Sequence, residues 1–348
     1  MSIDSINAAL KRISASLPGV EFKLDEPMRN HTSFKIGGPV RAMFFPDSAG
    51  IFIRLMEELS REGVMPLVIG NGTNLLADDS PLEMVVIKTT GLNAVHRLSG
   101  EDILAEAGAP LARLAAFACE CGLAGLEFAS GIPGTLGGAI AMNAGAYGSE
   151  IKDVLLSSEV FDAGAGVGFE ADAGVGFDAG ADAGIGADTD PSTGTRAGTG
   201  VCRGTVAEVS ILDNDGHDFS YRKSRFSDSG SVVLTSVLRL RKEDPIKIKE
   251  LIDEYNARRC ESQPVGMASA GSAFKRPPHG YSAELIDNAG LRGFRIGGAM
   301  VSEKHAGFIV NVDGASFADV IAVIDHVRDT VFVRSGVELE PEIRIIRG

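Results

Sequence analysis

The chain has 348 residues, 44% of them apolar, no tryptophan, and a formal charge of −14. That length allows two or three domains around a sizeable core, while the acidic balance argues against a nucleic-acid partner, which needs a basic footprint. No apolar run approaches membrane-spanning length, and the opening MSIDSINAALKRIS lacks the long apolar stretch of a signal peptide.

Residues 3–17 read as a short amphipathic helix, with Ile3, Ile6, Leu10, Ile13 and Leu17 at helical spacing. In NHTSFKIGGPVRAMFFP (Asn30 to Pro46) the polar NHTS segment enters a strand, Gly37-Gly38 bends it, and Ala42 to Phe45 resumes it. Asp47-Ser48 starts a helix whose inward face is Ile51, Leu55, Met56 and Leu59. Met65 to Ile69 is a short buried strand leading straight into GNGTNLLADD, and Val85 to Ile87 is another. The turn begins like a dinucleotide fingerprint, but Leu75 stands where the third glycine would be and no helix clearly follows, which weakens a Rossmann reading.

Pro110 to Gly122 is helical, with Pro110 in the first turn and Leu111, Leu114 and Phe117 inward. Cys119 and Cys121 lie two apart on that helix and point away from each other. Four cysteines, the others being Cys202 and Cys260, are too few for a disulfide framework. Isolated thiols, a reducing cytoplasm and no metal site are therefore expected.

Leu126 to Gly148, LEFASGIPGTLGGAIAMNAGAYG, is dense in glycine and almost bare of long side chains. Glycine loses more backbone entropy on folding than any other residue, so such density needs a reason. Two remain open from the residues alone: a nest of peptide N–H groups for phosphate, or a turn between packed elements. Residues 162–200 are rich in Gly, Ala and Asp in a loose VGF-x-A repeat. They lack the double-glycine nonapeptide of calcium-binding repeats and read as a disordered insertion in a hairpin of Leu155–Phe161 with Thr205–Leu212.

Ser210 to Asp213 and Val232 to Leu240 alternate like antiparallel strands around the cationic SYRKSRFSDSG. Asp244-Pro245 starts a helix that stops before Gln263-Pro264 and marks a domain boundary. Beyond it come the turn MASAGSAFKRPP, a short helix from Tyr281 to Asn288, and strands Ala299–Val301 and Phe308–Val312. A helix capped by Ser316 and closed by Gly336, with Phe317, Val320, Ile321, Ile324, Val327 and Val331 on one face, precedes a final strand from Val337 to Ile346. This order suggests a small α+β domain.

Seven of these segments, in series, carry a resemblance: NHTSFKIGG, GNGTNLL, SGIPGTLGGAIAMNAGAYG, YRKSRF, GSAFKRP, LIDNAGLRGFRIGGA and LEPEIR. Together the chain resembles the UDP-N-acetylenolpyruvoylglucosamine reductases, flavoenzymes of peptidoglycan precursor synthesis, in the form lacking an extra substrate-covering loop. The resemblance implies an α+β fold: an FAD-binding, vanillyl-alcohol-oxidase (PCMH) type unit of two subdomains plus a C-terminal substrate-binding domain. The boundaries expected are 1–20 for an N-terminal helix, 21–244 for the FAD unit and 245–348 for the C-terminal domain. It also implies NADPH as reductant, a small UDP-sugar as substrate, and no nucleic-acid or membrane partner; a monomer is the expectation for assembly.

By position in the motifs, the FAD contacts would be Asn71, Gly72, Thr73, Asn74 and Leu75, then Gly131, Ile132, Pro133, Gly134, Thr135 and Gly138, then Asn143, Ala144, Gly145, Ala146, Tyr147 and Gly148. The reaction sends hydride to one carbon of an enolpyruvyl C=C and a proton to its neighbour, with negative charge building on the carboxylate. Ser272 would then be the proton donor and Arg222 the cationic stabiliser. Glu342 would polarise or reprotonate the site. Tyr221 and Lys275 are candidate ligands of the substrate diphosphate or carboxylate, followed by Arg259 and Gln263. Other readings are a flavin oxidase of the same fold, or a non-catalytic FAD- or UDP-sugar-binding regulator.

Overall fold

Among the described residues three larger sheets form, each with one face on a helix-covered core. The computed structural model describes residues 3–162, 208–227 and 229–348; the 162–200 insertion reading, beyond Asp162, and Cys202 lie outside the described residues. The first sheet runs in the order Glu21–Pro27, Pro39–Phe45, Leu82–Lys88, Leu67–Ile69, antiparallel at the first pair and parallel at the others. Helices Ile3–Ser16 and Ala49–Arg61 cover it, burying Ile6, Ile13, Phe52, Leu55 and Leu59 against Phe44 and Ile87. In the second helix Phe52, rather than the expected Ile51, is fully buried.

The second sheet is antiparallel: Glu208–Asp213, Leu155–Asp162, Val232–Arg239, Asp102–Glu106, Val95–Arg97. Leu155–Asp162 is its hub, lying between the two strands expected around the cationic segment. Helices Leu111–Glu120 and Leu136–Ala141 pack on it through Leu114, Leu136 and Ile140. Pro110 is the cap of the first of these, not a residue of its first turn. Helix Pro245–Ser262 follows, started by Asp244, whose side chain accepts the Ile246 N–H at 2.9 Å.

The third sheet, Ala268–Ser272, Phe308–Asn311, Ala299–Val301, Arg295–Ile296, is also antiparallel. Helix Phe317–Ser335 covers it, with a reciprocal Ser316–Asp319 capping box at its start and Gly336 at φ 70° at its end. Val323 takes the buried place expected of Ile321.

Two expectations change. NHTS is not strand: Thr32 Oγ1 turns back to donate to the Ile36 carbonyl (3.0 Å), and Ser33 Oγ donates to that of Ser269 (2.6 Å). Local side-chain bonds of this kind compete with ladder pairing. This loop drives Phe34 and Ile36 into the C-terminal core, where full burial of the phenyl ring is worth about 2–3 kcal/mol. The final strand is only Arg344–Ile346; ahead of it Pro341 makes an isolated antiparallel bridge to Phe274. That strand leaves the C-terminal sheet and pairs in parallel with Leu75–Ala77, just after the GNGTN turn. Among the described residues no helix is long and apolar enough to cross a membrane.

Candidate active site

The two glycine-rich segments face each other across a cavity of about 490 Å³, the size of a cofactor or ligand site. One wall is the turn Gly70 to Leu75; opposite lie Ile132 to Thr135, Gly138, and Ala144 to Ala146. The glycines here are spatial necessities. A Cβ on Gly70 would sit 2.2 Å from Thr135 Oγ1, and one on Gly72, which has φ +63°, would sit 2.1 Å from the His31 carbonyl oxygen. Thr135 Oγ1 is buried with no hydrogen-bond partner in the chain. Leaving a buried hydroxyl unpaired costs about 1–3 kcal/mol, so this atom calls for a ligand.

Arg222, Ser272 and Glu342 line the same cavity. Arg222 and Glu342 meet there, Nε to Oε1 at 2.9 Å, as an ion pair whose N–H points off the line of contact. Arg222 occupies a tight turn closed by reciprocal Ser220–Lys223 backbone bonds, and its φ is +55°, a region glycine favours. Burial pushes the Glu342 pKa up, and the charges of Arg222 and Lys275 oppose that only partly. Ser272 ends its strand beside a register shift, after Gly271 at φ +80°. Its Oγ donates to the Phe274 carbonyl at 3.1 Å. Arg259 also lines the cavity, with its guanidinium against Gly131. Burial lowers its pKa, and among the described residues no carboxylate pairs with it.

Two models of known families match the chain: the C-terminal domain of UDP-N-acetylenolpyruvoylglucosamine reductase over residues 263–346, and an FAD binding domain over residues 40–167. The chain is 42% identical to the UDP-N-acetylenolpyruvoylglucosamine reductase of Caldanaerobacter subterraneus subsp. tengcongensis, over 93% of each chain. This chain belongs to the UDP-N-acetylenolpyruvoylglucosamine reductase family. The protein of that name from Agathobacter rectalis is 39% identical, over 97% of this chain and 98% of its own. The crystal structure of the Thermus caldophilus reductase superposes with a TM-score of 0.69 at 29% identity, covering 94% of this chain and 98% of that one. The fold is thus the α+β, PCMH-type FAD-binding fold with a C-terminal reductase domain.

Within this reductase family member the motif residues converge unequally. Arg222, Ser272, Glu342, Arg259 and Gln263 all line the one cavity. Gly131, Asn143, Tyr147, Gly148, Tyr221 and Lys275 do not. Asn143 is fully buried at φ 40°, where its amide donates to Glu150 Oε2 and the Ser220 carbonyl, both at 3.1 Å. It braces the Arg222 turn from behind. Tyr147 stacks on Tyr255, centroids 4.1 Å apart, and donates its hydroxyl proton to the Tyr255 carbonyl. Lys275 pairs with Glu340 outside the cavity. Tyr221 and Gly148 line a second hollow of about 290 Å³, which shares Gly145, Ala146 and Arg222 with the first.

Gly70, His305 and Arg344 are among the lining residues that were not expected as ligands. Gly70 and Arg344 lie inside the motifs GNGTNLL and LEPEIR and were within reach of the pattern. His305 was not, because only the pairing of Ala268–Ser272 with Phe308–Asn311 brings it beside Ser272. The Gly307 N–H donates to its Nδ1 at 3.2 Å, so its own proton sits on Nε2, and burial lowers its pKa.

Proposed function

We propose that Arg222, Ser272 and Glu342 are the groups with which this reductase reduces the enolpyruvyl double bond of UDP-N-acetylglucosamine enolpyruvate to UDP-N-acetylmuramate, a peptidoglycan precursor. The observation that carries this reading is that all three line the cavity that Gly70–Leu75 and Ile132–Thr135 enclose, with Arg222 and Glu342 in contact there. The cavity residues fit FAD. The unpartnered Thr135 Oγ1 on the cavity wall, beside a turn almost bare of side chains, suits an oxygen-rich group held against the backbone. Bound there, FAD supplies the hydride, replenished from NADPH.

The chain supplies the rest. Negative charge grows on the substrate carboxylate as the double bond is consumed, and the Arg222 guanidinium, already fixed by Glu342, stabilises it without reorganising. The Ser272 hydroxyl turns from the Phe274 carbonyl to give its proton to the carbanionic carbon. Glu342, with its raised pKa, is the carboxyl best able to hold a proton in this cavity. Arg259, which no carboxylate among the described residues pairs with, and Gln263 are left to bind anionic or polar parts of the ligands.

The same reading takes residues 21–244 as the flavin unit and 245–348 as the substrate domain, preceded by the helix in 1–20. It also places a monomeric enzyme in the cytoplasm, where the free thiols of Cys119, Cys121 and Cys260 stay reduced. The test is NADPH oxidation by the purified yellow protein with and without UDP-N-acetylglucosamine enolpyruvate. Substrate-dependent NADPH loss supports the reading, and none overturns it.

A further inference from the structure

Asn74 stands at the end of the GNGTN turn and reads by motif as a cofactor ligand, but its amide is engaged elsewhere. Its Nδ2 donates to the backbone carbonyl of Glu342 at 2.9 Å. Its own carbonyl accepts the Arg344 N–H at 2.9 Å, which starts the parallel pairing of Leu75–Ala77 with Arg344–Ile346. The peptide on the other side of the Glu342 Cα is held by Ala273, whose carbonyl accepts the Glu342 N–H at 2.9 Å. Glu342 is thus suspended between the residue after Ser272 and the side chain of Asn74. It lies between the Phe274–Pro341 bridge and the strand Arg344–Ile346, and the two bonds hold the peptides on either side of its Cα.

We propose that Asn74 is a positioning residue: it sets the carboxyl of Glu342 against Arg222 and ties that placement to the turn that lines the flavin cavity. This rests on the catalytic role given above to Glu342. Without the Asn74 bond the peptide after Glu342 is free to rotate and to carry the carboxyl away from Arg222, and a catalytic group misplaced by a fraction of an ångström loses much of its effect.

The test is a double-mutant cycle in the FAD-loaded enzyme, with Asn74→Ala, Glu342→Gln and the pair. Three quantities are read: FAD bound per chain after gel filtration, the rate of flavin reduction by NADPH, and the rate of substrate reduction. Loss of one well-made hydrogen bond predicts that Asn74→Ala slows substrate reduction about tenfold, with flavin reduction affected less and FAD retained. In the Glu342→Gln background the same change is expected to cost little more. Asn74→Asp, the same shape but an acceptor facing a carbonyl, serves if the alanine variant does not fold, and its loss should be at least as large. Losses that simply add, or a loss that disappears at saturating FAD, overturn the inference. A Glu342→Gln enzyme as fast as wild type would instead overturn the role of Glu342 itself.

Discussion

Arg222 Nε lies 2.9 Å from Glu342 Oε1, so a turn of the flavin-side sheet and the loop before the last strand are joined by one ion pair at the cavity. The contact is made from a strained backbone. Arg222 at φ +55° costs of the order of 1 kcal/mol or more, which the fixed turn must sustain. Such strain is worth keeping only where the side chain has to point one way.

Arg222→Ala removes the strongest charge that opposes burial at Glu342, so the Glu342 pKa rises further. A carboxyl whose folded pKa exceeds its unfolded value stabilises the fold below the unfolded pKa and loses that contribution as pH rises through the folded one. The variant is therefore expected to melt like wild type in acid and to fall progressively below it as pH rises. Thermal melts across pH check this, and the limb of the pH–rate profile due to Glu342 should move to higher pH in parallel.

Gly70→Ala directs a methyl group at Thr135 Oγ1, to within 2.2 Å if nothing moves. Relieving such an overlap costs about 1–3 kcal/mol, enough to weaken FAD binding by roughly tenfold or more. Gly19→Ala, where a Cβ meets nothing within 4 Å, is the control. Flavin fluorescence titration of the stripped proteins should separate the two.

The strands flanking the acidic insertion pair in register up to Asp162 opposite Glu208. Replacing residues 163–207 by Asn-Gly supplies a two-residue turn whose twist suits such a hairpin. Steady-state reduction should persist at close to the wild-type rate. A large loss would give the insertion a part in the reaction.

Much of this architecture was legible because most strands bury one face and so alternate, and because the helix starts carry their own signals at Ser316–Asp319 and Asp244-Pro245. Glu21–Pro27 was missed because it is a charged, largely exposed edge strand with no apolar alternation. NHTS read as strand because nothing local announces that Thr32 and Ser33 spend their hydroxyls on Ile36 and Ser269. The site divides the same way. Glycines with no room for a Cβ mark themselves, whereas the placement of His305 and the engagement of Asn74 with Glu342 depend on which distant strands pair.

In the proposed reaction the proton comes from Ser272 and the hydride from the flavin cavity. Stopped-flow kinetics on the FAD-loaded Ser272→Ala enzyme test it most directly. Flavin bleaching by NADPH should run at nearly the wild-type rate. Reoxidation by UDP-N-acetylglucosamine enolpyruvate should slow by about 10²-fold or more, the scale of a lost general acid. Wild-type rates in both halves would contradict the account.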